Sequence, residues 1–450
     1  MRFRVINSKD IYREGRFDGS YHNAEAIIYD NIIKSHSSHK LDYYCTDIFT
    51  SGRNKRVYTS KEFGYPFLSN SDVASQNPFS SCKYNSRKYG YDESAVLKAG
   101  MILTGRVGAI GQTSFVPKYW EEFKVMGSDN IIRIVIKPEY KNGYIYAYLA
   151  SRIGNLQFWK HATGGVQPFI TDAMVGELPI PDFPETFQQR VDELIQESAR
   201  TRELAAAQIR EAITLLETEI GESQYDISYR NGLISSKKIS SSFKRFDAQY
   251  QIGKNELLKD IYESETIKIG KLAKSIFVGN RGKRHYVKEG LPFLSSSDMM
   301  LFNPLKYSTP ISLKTPNLQS LLVHKNDILI SRSGTIGNTV IVGDILDGKA
   351  VSEHALRLVI DADKIAPQYI FCYLNTQHGK RVLESLSYGS VIITLGEEFV
   401  ADIDLPIISQ DKIERISELV RMYQELIDKA TYLENSAVDL VESEIEKWKN

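Results

Sequence analysis

Two stretches, residues 184–222 and 409–450, carry apolar residues at helical spacing with almost no breakers, whereas the rest of the chain alternates short apolar runs with Gly, Ser, Asn and Pro. In the second stretch Ile413, Ile416, Val420, Tyr423, Ile427 and Ala430 step by three and four, which is a heptad seam. In the first, Phe187, Val191 and Leu194 begin such a seam, Ser198 and Thr201 interrupt it, and Ala205, Ile209, Ala212 and Leu216 resume it. Pro184 suits a first helical position, Ser409 an N-cap and Gly221 a C-cap. Each stretch predicts a helix of roughly 38 residues, about 57 Å at 1.5 Å per residue. A lone helix of this kind leaves its apolar stripe in water. The other stretch is the natural partner, giving an antiparallel two-helix strut. A parallel pair needs a long return connection, which the intervening residues could supply. Elsewhere, runs such as 101–104, 131–136 and 328–330 predict strands.

The pattern occurs twice. Arg16-Phe17-Asp18-x-x-Tyr21 returns as Arg245-Phe246-Asp247-x-x-Tyr250, and Lys55-Arg56-x-Tyr58 as Lys283-Arg284-x-Tyr286. Pro66-Phe67-Leu68-Ser69-x-Ser71-Asp72 returns as Pro292-Phe293-Leu294-Ser295-x-Ser297-Asp298, and Asn77-Pro78 as Asn303-Pro304. Arg106-x-Gly108-x-Ile110-Gly111 returns as Arg332-x-Gly334-x-Ile336-Gly337, Tyr148-Leu149 as Tyr373-Leu374, and Leu178-Pro179-Ile180 as Leu405-Pro406-Ile407. Finally, Leu215-x-Glu217-x-Glu219-Ile220 returns as Leu440-x-Glu442-x-Glu444-Ile445. The order is kept throughout, at an offset of 225 to 229 residues. This predicts an α+β fold with a pseudo-two-fold internal repeat. Two similar β-rich globular modules, residues 1–183 and 223–408, are separated by a long antiparallel two-helix coiled coil built from 184–222 and 409–450. Two similar modules should read two similar things.

Composition narrows the class. The chain has 450 residues, 42% hydrophobic and 25% charged, with 56 basic and 56 acidic side chains. That excludes a polybasic coat and an acidic disordered chain, but not local segregation of charge. Residues 1–183 hold 23 basic and 18 acidic residues and 223–408 hold 23 and 19, whereas the helical stretches hold 4 and 9, then 6 and 10. The modules are therefore basic and the helices acidic, so polyanion contact belongs to the modules. Cys45, Cys82 and Cys372 lie far apart without metal-ligand spacing, which fits a reducing cytoplasm. No apolar run approaches the ~18 residues of a membrane span, and the N-terminus lacks a signal-peptide pattern.

The RxGxxG element resembles a dinucleotide fingerprint, but that motif needs a helix after the glycines. Here Gln112-Thr113-Ser114-Phe115-Val116 and Asn338-Thr339-Val340-Ile341-Val342 follow, which read as strands, so a β-hairpin with Arg106 or Arg332 at its tip is expected. A basic loop recurs as well: Arg53, Asn54, Lys55 and Arg56 in the first copy, and Asn280, Arg281, Lys283 and Arg284 in the second. Arg and Lys grip phosphates, while Arg and Asn read guanine and adenine edges. Lys83, Arg87 and Lys88, with Tyr84 and Tyr89, form a third cluster in the first module only. Any one such cluster is accounted for by a solvated loop; equivalent loops in two basic modules favour nucleic acid. Phosphate-loop, amino-methyltransferase, GxSxG and HExxH motifs are absent. His161 and His354 read as structural.

The ordered pair of motifs resembles the specificity (S) subunits of type I restriction-modification systems. The likeness rests on residues 98–111 and 325–337, on Tyr148-Leu149 and Tyr373-Leu374, and on Thr163-Gly164-Gly165-Val166 and Tyr388-Gly389-Ser390-Val391, each ahead of Leu-Pro-Ile and a long helix. It implies two target recognition domains, each reading half of a split, asymmetric site on double-stranded DNA, with the helices as spacer. It also implies two docked methyltransferase (M) subunits, with motor-nuclease (R) subunits completing the complex. S-adenosylmethionine, ATP and magnesium would sit on those partners, leaving this chain non-catalytic and without a cofactor. The alternatives are an enzyme, such as a nuclease or methyltransferase with a degenerate motif, a non-DNA protein scaffold, and a specificity subunit of another restriction or phage-defence methyltransferase system.

Overall fold

The computed structural model describes residues 24–53, 55–80, 82–221, 265–333, 336–389 and 393–449, with a few positions before 24. Asn54, Asp18, the return of the opening motif at 245–250, Gly334, Ser390 and Val391 lie outside the described residues. The chain is mixed α and β with several small sheets, and it divides into two compact units, residues 1–203 with 429–450, and residues 204–428.

In the first unit a four-stranded antiparallel sheet runs in the order Cys45–Thr50, Ile131–Ile136, Ile102–Gly105, Thr113–Phe115. A smaller sheet follows Tyr58–Thr59, Lys83–Ser86, Gly64–Leu68, Met126–Gly127, its last pair parallel. Ser38–Lys40 pairs with Pro179–Pro181. The second unit has Ala273–Val278, Ala355–Ile360, Ile328–Ser331, Thr339–Ile341 as one sheet, and Thr309–Ile311, Tyr286–Leu294, Ala350–Val351 as another. Its two-stranded ribbon joins Thr266–Lys268 to Asp404–Pro406. Even the irregularities recur, with a register shift between Cys45 and Asp47 and again between Ala273 and Ser275.

One sequence match is corrected. The Leu-Pro-Ile segments align by identity at an offset of 227, but the ribbons pair His39 with Ile180 and Ile267 with Leu405. Tyr144 Oη donates to the Pro181 carbonyl at 2.5 Å and Tyr369 Oη to the Pro406 carbonyl at 2.8 Å. Ile180 therefore corresponds to Leu405 and Pro181 to Pro406. In a ribbon, the inward side chain and the carbonyl that meets the tyrosine fix the register, and a two-residue slide keeps the same faces inward.

Two long helices, Glu185–Glu219 and Gln410–Lys447, contribute to both units. Gly221, just past the first, has φ +75°, as its C-cap reading requires. In the first unit the Phe183 and Trp448 rings lie 4.7 Å apart, while Ser198 Oγ donates to the Ala430 carbonyl at 2.7 Å, so the segments run antiparallel. In the second unit Lys412 meets Glu219 at 2.5 Å and Arg415 meets Glu211 at 3.0 Å, again antiparallel. Val191, Ile195, Ala437, Val441 and Ile445 enter the first unit's core, and Ala205, Ile209, Leu216, Ile416, Val420 and Ile427 the second's. The interrupting Ser198 and Thr201 stay buried in the seam. Glu434 is buried there too, bound to Arg202 at 2.9 Å and to Tyr146 Oη at 3.1 Å. The same two repeat positions in the second unit are Ile209 and Ile427.

Candidate nucleic-acid interface

The basic loop of the first unit leaves the strand Cys45–Thr50 and is tied down from beneath. The buried side-chain amide of Asn85 donates to the Lys55 carbonyl at 3.2 Å and accepts from the Val57 N–H at 2.7 Å. Arg56 pairs with Asp129 and stacks on Phe67 at 5.6 Å. Arg53 and Lys55 remain exposed. In the second unit Arg284 does the same work: it donates to the Asn280 and Gly282 carbonyls of its own loop at 2.5 and 2.8 Å, pairs with Glu353 at 3.1 Å, and lies 5.5 Å from the Phe293 ring. The Arg284 side chain is only 8% exposed. It organises the loop, and Asn280, Arg281 and Lys283 stand out from it.

The RxGxxG elements are hairpins, Ile102–Gly105 with Thr113–Phe115 and Ile328–Ser331 with Thr339–Ile341. Gly111 and Gly337 take φ +73° and +85°, and a side chain at Gly111 would also strike the Asn155 amide. Arg106 is pinned through its backbone on both sides, its N–H donating to the Asn130 carbonyl at 2.8 Å and its carbonyl accepting from Ile170 at 3.0 Å. Arg332 repeats this with His354 and Leu395, both at 3.0 Å. The Arg106 side chain is exposed and that of Arg332 half-buried.

A two-residue step therefore joins the two features in each unit. Asp129 holds the basic loop through Arg56 and Asn130 holds the Arg106 tip; Glu353 holds Arg284 and His354 holds Arg332. Read from sequence as structural, His354 instead stands exposed at this tip, its Nδ1 3.0 Å from Ser333 Oγ. His161 is mostly buried, and that burial pushes its pKa down to about 4.

A third loop closes over the first tip. Thr163 and Phe169 exchange backbone hydrogen bonds at 2.9 and 2.7 Å, and the loop between them leaves Val166 fully exposed. Arg53, Arg106, Asp129, Asn130, Gln167 and Phe169 line a cavity of about 610 Å³. Its guanidinium, amide and carboxylate groups are the donor and acceptor types that read base edges and phosphates. Tyr388 and Thr394 exchange the same pair of bonds in the second unit.

Beneath the step sits a buried arginine. Arg133 donates to the carbonyls of Ala95, Gly127 and Ile131 at 3.2, 2.7 and 2.8 Å; Arg357 donates to those of Leu321, Val351 and Ala355 at 3.0, 2.6 and 3.1 Å. Burial lowers the pKa of each to about 10, still far above neutrality, so both stay charged. They stitch the large sheet to the small one and thereby position the step. Asp129, Asn130, Arg133, Glu353, Arg357, Asn85 and Gln167 escape motif reading. A signal was available for some, since each repeat places an acidic-polar pair directly before an apolar strand and an arginine as the third residue of that strand.

Of the third cluster, Lys83 lies over Tyr58 at 4.6 Å, Arg87 over Tyr65 at 5.2 Å and Lys88 over Tyr89 at 5.1 Å, all on or beside the small sheet of the first unit. Among the described residues no group of three His, Cys, Asp or Glu side chains is placed to hold a metal ion, and no helix is long and apolar enough to cross a membrane.

No family model matches the chain, and no curated protein matches it. Among solved structures, the chain is similar to the type I restriction-modification system S subunit from M. genitalium, at 14% identity, over 92% of this chain and 95% of that one, with a TM-score of 0.35. It is also similar to the HsdS subunit from Thermoanaerobacter tengcongensis, at 15% identity, over 92% and 96%, with a TM-score of 0.28. A third similar chain, from a study of assembly and conformational transition in a type I R-M system, has 14% identity, coverage of 92% and 96%, and a TM-score of 0.29.

Proposed function

We propose that the chain is a non-catalytic DNA sequence-specificity subunit of a type I restriction-modification complex. Each module reads one half of an asymmetric, split site on duplex DNA. The paired helices set the separation of the halves and dock methyltransferase subunits, which bring S-adenosylmethionine, while motor-nuclease subunits bring ATP and magnesium. One observation carries the reading: in both units a step of two residues brings a basic loop and an arginine-tipped hairpin together. Backbone anchoring leaves the Arg106 side chain available to bases, and the exposed Arg53, Lys55, Arg281 and Lys283 supply phosphate contacts. The reading also rests on the ordered sequence motifs, which resemble that family throughout. The two tips differ, with Asn130 and Phe169 against His354 and Thr394, so the two half-sites differ.

The test is genome-wide mapping of DNA methylation in the host with and without the gene for this chain. A split motif that disappears with the chain supports the reading. An unchanged methylation pattern overturns it.

A further inference from the structure

We propose that the first unit carries a sequence-independent grip for the phosphates of duplex DNA, a face of four cations seated on tyrosines, where the described residues of the second unit hold one such pair, Lys306 over Tyr307 at 5.3 Å; this rests on the DNA-reading function proposed above. Lys83, Arg87 and Lys88 each lie over a tyrosine, as described. A fourth cation, Lys124, places Nζ 5.7 Å from the Tyr65 ring and 5.6 Å from the Tyr91 ring. Tyr65 is thus shared by Arg87 and Lys124, and the Tyr65 and Tyr91 rings are 5.3 Å apart. All four cations are exposed, as are Tyr58, Tyr89 and Tyr91. The acids nearby are engaged locally: Glu93 accepts from Tyr91 Oη and Asp92 from the Ser94 N–H at 2.9 Å. A cation over a ring keeps its charge and outward donors while losing side-chain freedom, which suits a phosphate and reads no base.

Lys124 gives an independent reason. It has φ +49°, in the left-handed region that glycine adopts readily and lysine does not. The equivalent turn in the second unit is fixed by the matching bonds Leu97 N–H to Val125 O and Val323 N–H to Lys349 O, and there the residue is Gly348 at φ +70°. The fold prefers glycine at this turn, yet the first unit spends strain to keep a cation between two tyrosines. Residues 309–317, the counterpart of 83–91, hold one basic residue, Lys314, where the first unit has three. The face is continuous with the reading site, because the strand that bears Lys83 also bears Asn85, which anchors the basic loop at Lys55 and Val57.

The experiment uses the full chain and a 30-base-pair duplex of random sequence, with affinity followed across a salt series from low ionic strength. Lys124→Gly should bind several-fold more weakly with a salt slope shallower by about 1. It should melt no lower than the native chain, because glycine relieves the turn. Lys83→Ala, Arg87→Ala, Lys88→Ala and Lys124→Gly combined should flatten the slope by about 3 to 4 while leaving base preference intact. Lys55→Ala with Lys283→Ala, which removes two exposed cations of the basic loops, is the control variant. If it weakens binding while the combined variant does not, the grip is wrong and the reading function stands. If neither variant changes binding, or the native chain shows none at low salt, both fall. If duplex RNA competes better than DNA, the assigned partner is wrong.

Discussion

Replacing Arg133 with leucine should unfold the first unit well before the second. The guanidinium makes three good hydrogen bonds to buried carbonyls, at 2.7, 2.8 and 3.2 Å, and a marginal fourth to the Ser128 carbonyl at 3.4 Å. Bonds from a charged donor contribute about 1.5 kcal/mol each at the low end after desolvation is counted, so the three good ones total about 4–5 kcal/mol. Leucine supplies no donor, and the carbonyls of Ala95, Gly127 and Ile131 lose the partner that Arg133 gave them. A domain is stable by only about 5–15 kcal/mol, so most of the margin goes. With a urea m-value of about 2 kcal/mol/M, the midpoint should fall by about 2 M. The assay is unusually clean because all three tryptophans, Trp120, Trp159 and Trp448, belong to the first unit, so indole fluorescence reports its unfolding alone. Arg357→Leu should leave the fluorescence transition in place and shift only the far-ultraviolet dichroism of the second unit. A fluorescence shift under about 0.5 M for Arg133→Leu, or an equal shift for Arg357→Leu, would refute the assignment of these arginines as separate stitches.

The remaining predictions address recognition, the seam and pH. Arg106→Ala and Arg332→Ala should each relax preference at one half-site only, by about 1–3 kcal/mol, as read by selection of bound sequences; loss at both halves from either variant contradicts the two-module reading. Glu434→Leu leaves Arg202 charged against the seam and should lower the melting temperature, whereas Arg202→Leu and Glu434→Leu combined with Tyr146→Phe, which removes the hydroxyl that Glu434 accepts from, should restore it, following the Ile209, Ile427 and Phe371 of the second unit; calorimetry decides, and equal damage from both refutes the pairing. Removing one heptad from each long helix should change the gap between half-sites without changing the bases, as methylome mapping would reveal. His378 is buried and its pKa is pushed down to about 4, below its unfolded value of about 6.5, so the unfolded chain takes up protons first as pH falls. Stability of the second unit should be full above pH ~6.5 and drain away toward pH ~4, and His378→Gln should flatten that profile in urea titrations followed by dichroism.

The helices were legible because a stripe at 3.6-residue spacing survives any detail of partner or loop. The hairpins were legible because apolar strands on both sides of the glycines leave no room for a helix. What escaped was set by pairing across the chain. Arg133 and Arg357 interrupt apolar strands, which in isolation reads as a strand with a solvent face; only the folded sheet brings the carbonyls of Ala95 or Leu321 to them. Asp129 and Glu353 look like loop acids until Arg56 or Arg284 arrives from some seventy residues away. The slip in the Leu-Pro-Ile match has the same origin. Identity favoured one register, while the tyrosine bonds and the buried face of the ribbon required another.

Where the two units agree and where they part follows from what each residue must satisfy. Anchors face several constraints at once. The arginine of the basic loop must reach a carboxylate and a phenylalanine ring together, and both copies meet this with Arg56, Asp129 and Phe67 or Arg284, Glu353 and Phe293. The tips are held through their backbone, so the side chain of Asn130 can become that of His354 and that of Phe169 can become that of Thr394 without disturbing the bonds that hold them. If the proposed function holds, a duplicated scaffold with fixed anchors and exchangeable tips can change what one half reads without refolding the other. The seam shows the opposite economy: Arg202 and Glu434 replace an isoleucine pair at a buried position, and a buried ion pair at one heptad position disfavours any slide of one helix along the other. Register matters most to a spacer, because each slipped heptad moves one end by about 10 Å along the axis, about three base pairs of DNA. In the proposed spacer role, a polar lock at that point in the helix pair would hold the register that sets the distance.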